Sequence, residues 1–275
     1  MKNTVESKEI QAVAKTIRRK ILDVSYSCNK SVHIGGALSM ADILATLYAK
    51  VLRLDRKNPE FADRDRFILS KGHGALAYYA ALLVSGFLTE EIYATFQSND
   101  SDLTTHPVMN MSLGIESSNG SLGQGLSMAV GLAIAAKQKQ KQHKVYVMLG
   151  DGECNEGAVW EAAMSAPNFK LDNLIAIVDK NDFQNDGASA TVMEPGDFVM
   201  KWSSFGWNAI AVDGHDIDAV LSALTTQNIS GKPKVLIAQT TKGKGCSFME
   251  HKAEWHHNRL TKAQYDVAIQ ELDAQ

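Results

Sequence analysis

The sequence predicts an α/β fold, a mostly parallel sheet with helices on both faces. Three observations predict it. Short apolar runs of strand length alternate with stretches of helical spacing through the second part of the 275 residues, the pattern of a parallel sheet covered on both sides. The turn Gly150-Asp151-Gly152 directly follows one such run, at the strand end where open α/β sheets place their ligands. No internal repeat, low-complexity tract or linker interrupts the chain, so a single domain over residues 1–275 is expected.

The elements follow in order. Over residues 7–28, Ile10, Val13, Ala14, Ile17, Ile21 and Val24 recur at helical spacing. Ser39 is placed to cap a second helix over residues 40–52, because a serine hydroxyl satisfies an otherwise orphaned amide there. A turn-rich stretch at residues 31–39 joins the two. The apolar run at residues 66–69 reads as a short strand, followed by Ser-Lys-Gly-His-Gly and an Ala/Tyr-rich helix. A glycine-rich loop at residues 120–125 opens a long helix through Ala136. Strands are expected at 145–149, 173–178, 207–212 and 234–241, with helices near 159–166, 198 and 216–224 and a short helix at the C-terminus.

Composition excludes several classes. Hydrophobic residues make up 45% and charged residues 21%, with a formal net charge of -3, which favours neither nucleic acid nor an anionic membrane. Lys137, Lys139, Lys141 and Lys144 read as the exposed cationic end of a helix. Cys28, Cys154 and Cys246 lie far apart, so neither a zinc knuckle nor a disulfide framework is expected. The first eleven residues lack the apolar core of a signal peptide. Apolar runs break well short of the ~18 residues of a membrane span. A cytoplasmic protein is expected.

The most informative segment begins at Gly150. The flanking glycines permit a tight turn and close backbone approach to an anion. A strand-helix-strand unit then returns the chain to the same sheet edge at Asn181. The chemistry suits a hard cation. Asp151 offers a carboxylate, Asn181 an amide oxygen and Phe183 a main-chain carbonyl, while diphosphate oxygens and water would complete the octahedral shell of Mg2+.

Gly150-Asp151-Gly152, followed thirty positions later by Asn181 and then Gln184, resembles the thiamine-diphosphate signature in the form found in the transketolase family. The resemblance extends over almost the whole chain: His33, His73 and His106 stand in loops that match the family's histidine-bearing loops, although Ile34 stands where the family often has Pro. Gly120, Ser121 and Leu122 resemble the loop that passes the thiazolium ring, Lys242 lies in Thr-Thr-Lys-Gly-Lys-Gly, and His256 follows Trp255. The family segment usually reads Trp-His-Gly. Here His257 replaces the glycine, so the matching histidine is His256 or His257, and Leu260 downstream favours His256.

The resemblance implies a PP-domain-type fold, with thiamine diphosphate and Mg2+ (or substituting Ca2+ or Mn2+) as cofactors. It implies transfer of a two-carbon ketol unit from a ketose or ketose-phosphate donor to an aldose acceptor. His33 and His106 would polarise substrate and meet the C1 hydroxyl, and His256 would transfer a proton and contact cofactor. Near-neutral imidazoles suit such work. His73, Gly150, Gly152, Lys242 and Gln184 would contact cofactor, and Glu156 would either complement a helix dipole or join a proton relay between two cofactors. His143, His215 and His251 match nothing and read as structural.

The carboxylate that the family sets against the aminopyrimidine ring belongs to a second domain with no counterpart here. The resemblance therefore implies that the partner is a C-terminal transketolase subunit, in a self-associating α2β2 assembly, although a truncated chain would look the same. Two alternatives share the metal motif: a deoxyxylulose-phosphate-synthase-like enzyme and a 2-oxo acid decarboxylating subunit. A non-catalytic partner subunit is a third. A dinucleotide-binding loop is excluded because residues 120–125 neither follow a strand nor match G-x-G-x-x-G.

Overall fold

The computed structural model describes residues 5–275. The reading of the extreme N-terminus therefore rests partly on residues 1–4, outside the described residues.

Five strands form one wholly parallel sheet in the order β1-β2-β3-β5-β4. They are β1 (Arg66–Leu69), β2 (Val145–Gly150), β3 (Leu174–Lys180), β4 (Asn208–Asp213) and β5 (Lys234–Gln239). The near-continuous apolar runs of β2, β3 and β5 arise because both their faces are covered, as alternate residues show. Phe67, Leu69, Tyr146, Met148, Ile175, Ile177 and Leu236 enter one buried cluster, while Ile68, Val147, Leu149, Ala176, Val178 and Ile237 enter another.

The first face is covered by α1 (Val5–Ser27), α2 (Gly35–Leu38), α3 (Ala41–Thr46) and α4 (Ala75–Val84), after which comes the short α5 (Glu90–Tyr93). The second face is covered by α6 (Gln124–Gln138) and α7 (Gly157–Asn168), and further along by α9 (Phe198–Ser204), which follows the short α8 (Ser189–Val192). Back on the first face lie α10 (Ile217–Thr225) and α11 (Lys262–Asp273). Thr261 and Gln264 start α11 with a reciprocal capping box, and Tyr265 stacks on Tyr26 of α1 at 4.6 Å between ring centroids. The lysine-rich segment ends α6 as expected, with Lys137 paired to Asp172 and Lys141 to Asp63. No helix among the described residues is long and apolar enough to cross a membrane.

The expectation at Ser39 fails. The helix begins at Ala41 with Met40 at its N-cap and no side-chain cap, continues as a π-turn over Leu47–Val51, and is preceded by α2 in the stretch read as turn. Ser39 is fully buried and its hydroxyl bonds the Asp179 carboxylate at 2.7 Å. A helix N-terminus would use the serine oxygen as an acceptor for its free amides, whereas here the buried Asp179 carboxylate takes the hydroxyl as a donor and holds the side chain away from the helix end.

Candidate active site

Register places the chemistry. Gly150 of β2 pairs with Asp179 of β3, so the loops carrying Asp151 and Asn181 leave neighbouring strands at the same level. The Asp151 carboxylate accepts from Gly152 N at 2.9 Å, from Asp182 N at 2.7 Å and from the Ser189 hydroxyl at 3.2 Å. Asn181 is held at both ends: its Nδ2 donates to Asp179 at 3.1 Å and its Oδ1 accepts from Phe183 N at 3.2 Å. The Asp151 carboxylate thus bonds the residue next to Asn181, and the two loops are tied together.

Above them opens a cavity of about 410 Å³. Gly150, Gly152, Glu156, Asn181, Phe183, Gln184 and Lys242 line it together with His33, His73, His106, Gly120, Leu122 and His256. Two expected residues fall off its walls. Ser121 is exposed on the outer side of its loop, and Asp151 is buried behind the wall. Glu156 occupies the N-cap of α7 without a side-chain cap bond. Gly123, at φ +85°, brings its loop so close that a Cβ would stand 2.9 Å from that of Glu156, an approach open only to glycine.

The imidazoles form one cluster. His33 lies with its ring centroid 5.5 Å from His73, 5.7 Å from His106, 5.5 Å from His256 and 4.5 Å from His257. Burial lowers the His33 pKa to about 4, helped by the charges of His257 and His106. Burial and then Lys242 lower His256 to about 3. Burial also lowers His73 and His106. All four are therefore neutral at pH 7. His256 is the inward-facing member of the His256-His257 pair, lining the cavity with its Nδ1 2.9 Å from Lys242 Nζ. Burial, then Lys71, lowers Lys242 only to about 8, so at pH 7 it is an ammonium that donates. His256 Nδ1 accepts, and its proton resides on Nε2.

These residues fit a metal diphosphate. Burial and the neighbouring Asp179 push Asp151 up to about 6, and a cation beside it would favour its charged form. Lys242, nearly fully buried, has no carboxylate within ion-pair distance among the described residues, and its Nζ also donates to the Phe183 carbonyl at 3.1 Å. Gln184 Nε2 and His33 Nδ1 are buried without partners, on side chains that line the cavity. A carboxylate, an amide oxygen and a carbonyl are oxygen donors of the type Mg2+ prefers.

Asp179, Lys71 and Glu153 escaped the sequence reading. Asp179, wholly buried, accepts hydrogen bonds from Ser39, Lys71, Asn181 and Thr240. Lys71 Nζ also donates to the Gly36 carbonyl at 2.9 Å. Glu153 accepts from Gly123 N at 2.9 Å, Gly150 N at 3.0 Å and the Ser70 hydroxyl, joining the ends of β1 and β2 to the glycine-rich loop. Their one sequence signal is a charged residue at or just beyond the end of an apolar strand. His215 is structural as read, bonded to Asp42 at 2.7 Å and accepting from Thr241 N at 2.9 Å. A larger cleft of about 950 Å³ lies beyond the Lys242 loop; of its lining side chains, Lys180 is paired to Asp182, Lys244 to Glu250, and His215 is bonded to Asp42.

A parallel sheet with a buried carboxylate and ammonium converging at its strand ends, under neutral imidazoles, defines a diphosphate-cofactor-binding α/β domain. The chain belongs to the transketolase family: residues 9–273 match the family described as "Transketolase, thiamine diphosphate binding domain". It is 43% identical over 264 residues to an apulose-4-phosphate transketolase subunit of Actinobacillus succinogenes, covering 96% of each chain. It is 40% identical over 242 residues to a 6-deoxy-6-sulfo-D-fructose transketolase subunit of a Clostridium species, covering 88% of each. The solved transketolase of Campylobacter jejuni superimposes with a TM-score of 0.90 at 33% identity, over 97% of this chain and 43% of that one. The chain thus spans less than half of that transketolase and nearly the full length of the relatives named as subunits.

Proposed function

We propose that this chain is the thiamine-diphosphate-binding subunit of a split transketolase. With a C-terminal partner subunit in an α2β2 assembly, it transfers a two-carbon ketol unit from a ketose donor to an aldose acceptor in the cytoplasm. The single observation that carries the reading is one cleft lined by Asn181, the Phe183 loop and the buried Lys242 together with His33, His73, His106 and His256, with Asp151 directly behind its wall and tied to the Asn181 loop through Asp182 N.

Asp151, Asn181 Oδ1 and the Phe183 carbonyl would hold Mg2+, or Ca2+ or Mn2+ in its place. Lys242 and the Nε2–H of His256 would bind the diphosphate. When bound, thiamine diphosphate supplies the electron sink on which a two-carbon fragment is carried. This chain's own residues bind and position around it. His33, neutral and with Nδ1 unpartnered, accepts the hydrogen of a substrate hydroxyl, and His106 orients the neighbouring hydroxyl. Glu156, at the start of α7 and beside Gly123, is placed for a relay toward a second site. The names of the two subunit relatives specify a ketose phosphate and a sulfonated ketose, which supports a donor with an anionic head group.

The test is reconstitution. The chain mixed with its partner, Mg2+ and thiamine diphosphate should transfer ketol units, and the chain alone should not. Activity of the chain alone overturns the split reading, and CO2 release from a 2-oxo acid without sugar transfer replaces ketol transfer with decarboxylation.

A further inference from the structure

We propose that His257 is a specificity residue, an imidazole at the mouth of the cleft that holds the sugar chain of the acceptor beyond its reacting carbons. The inference rests on the ketol-transfer reading above and extends it to the choice of substrate.

The geometry begins with the backbone. Val32 and Asn258 form an isolated antiparallel bridge, with Val32 N to Asn258 O at 2.9 Å and Asn258 N to Val32 O at 3.0 Å. The bridge clamps the residue after Val32 against the residue before Asn258, and the rings of His33 and His257 meet at 4.5 Å with 48° between their planes. No other imidazole among the described residues lies as near to His33.

The two consecutive histidines then face different surroundings. His256 lines the cavity and is bonded to Lys242. His257 is exposed, contributes nothing to the cavity wall, and among the described residues its ring has no hydrogen-bond partner. A cavity of about 410 Å³ is at the small end of ligand sites, which run from roughly 300 to 1,000 Å³. A cofactor seated in it leaves the substrate at the rim, where His257 stands. An imidazole both donates and accepts, matching a chain of adjacent hydroxyls. His257 also acts on the inner cluster, its nearby ring helping to lower the pKa of His33, His106 and His256, so it is electrostatically part of the site while lying outside the cavity lining.

The test uses the reconstituted complex with one ketol donor and aldose acceptors of two to five carbons, comparing the native chain with His257→Gly and His257→Asn. His257→Gly should raise the acceptor KM roughly three- to tenfold, the value of one neutral hydrogen bond, for acceptors of three carbons or more. The two-carbon acceptor, too short to reach the rim, should change by less than about twofold, and kcat should hold throughout. His257→Asn, which retains a donor and an acceptor, should recover part of the loss. Calorimetric binding of Mg2+ and thiamine diphosphate should be the same in all three proteins. Equal KM values for every acceptor length, or a loss that tracks weakened cofactor binding, overturns the inference. A native complex that binds cofactor and transfers nothing overturns the proposed function instead, and the inference with it.

Discussion

Lys242 Nζ lies 2.9 Å from His256 Nδ1, and this contact decides which ring nitrogen of the neutral His256 carries the proton. The ammonium donates, the imidazole stays neutral, and the remaining N–H of His256 is left to donate to a ligand. On the proposed function, replacing Lys242 with Gln removes the cation that would face the diphosphate. Cofactor affinity should fall by roughly ten- to hundredfold, the worth of a hydrogen bond to a charged group at about 1.5–3 kcal/mol. The His256 pKa should rise from about 3, readable from the imidazole proton shifts in NMR. An unchanged titration would show that Lys242 does not set the state of His256.

Asp179 and Lys71 form a fully buried ion pair. Asp179→Ala would strand the Lys71 ammonium and three other donors. Leaving one buried charge unpaired costs about 3–5 kcal/mol, so the melting temperature should drop by about 6–20 °C for a chain of this size. A calorimetric melt within about 2 °C of the native protein would contradict the pairing.

Folding stability should fall as the pH drops from 7.5 to 5. His33 and His256 have folded-state pKa values of about 4 and about 3, below the ordinary imidazole value. Between that value and the folded one, the unfolded chain binds more protons, so acid favours unfolding. Asp151, raised to about 6, and Glu153, raised by burial, work in the opposite direction, but they are two groups against four imidazoles. Urea midpoints at the two pH values measure the difference, and His33→Asn should reduce it. A midpoint that is level or higher at pH 5 would count against the buried neutral cluster.

Two glycines of α6 give opposite predictions. A Cβ at Gly125 would stand 2.5 Å from the Ser70 Cβ and 2.6 Å from its Cα, so Gly125→Ala must push α6 off the end of β1. Overpacking of this kind costs about 1–3 kcal/mol and should weaken cofactor binding by displacing the glycine-rich loop. At Gly131 nothing lies within 4 Å, and Gly131→Ala should stabilise by roughly 0.5–1 kcal/mol through helix propensity. Denaturant unfolding of both variants checks the pair, and equal effects would refute the packing argument.

Much of this molecule was legible in order along the chain. Apolar runs bounded by turn residues located all five strands and helical spacing located α1, because burial on two faces or one leaves a period in the residues themselves, while an Ala/Tyr-rich composition marked α4 and the glycine-rich loop marked the start of α6. Asp151 and Asn181 were legible for the same reason: each directly follows a strand, and parallel pairing carries both to one edge. What the chain alone could not decide was the use of its buried polar groups. Ser39 reads as a helix cap and is instead a donor to Asp179, 140 positions away. Ser70 serves Glu153 across 83 positions. His256 and His257 are chemically alike and adjacent, and only the fold turns one inward and leaves the other at the mouth. Periodicity records how much water each residue loses, a local property. A hydrogen bond between buried groups depends on which strands become neighbours, and that is settled only when the sheet closes.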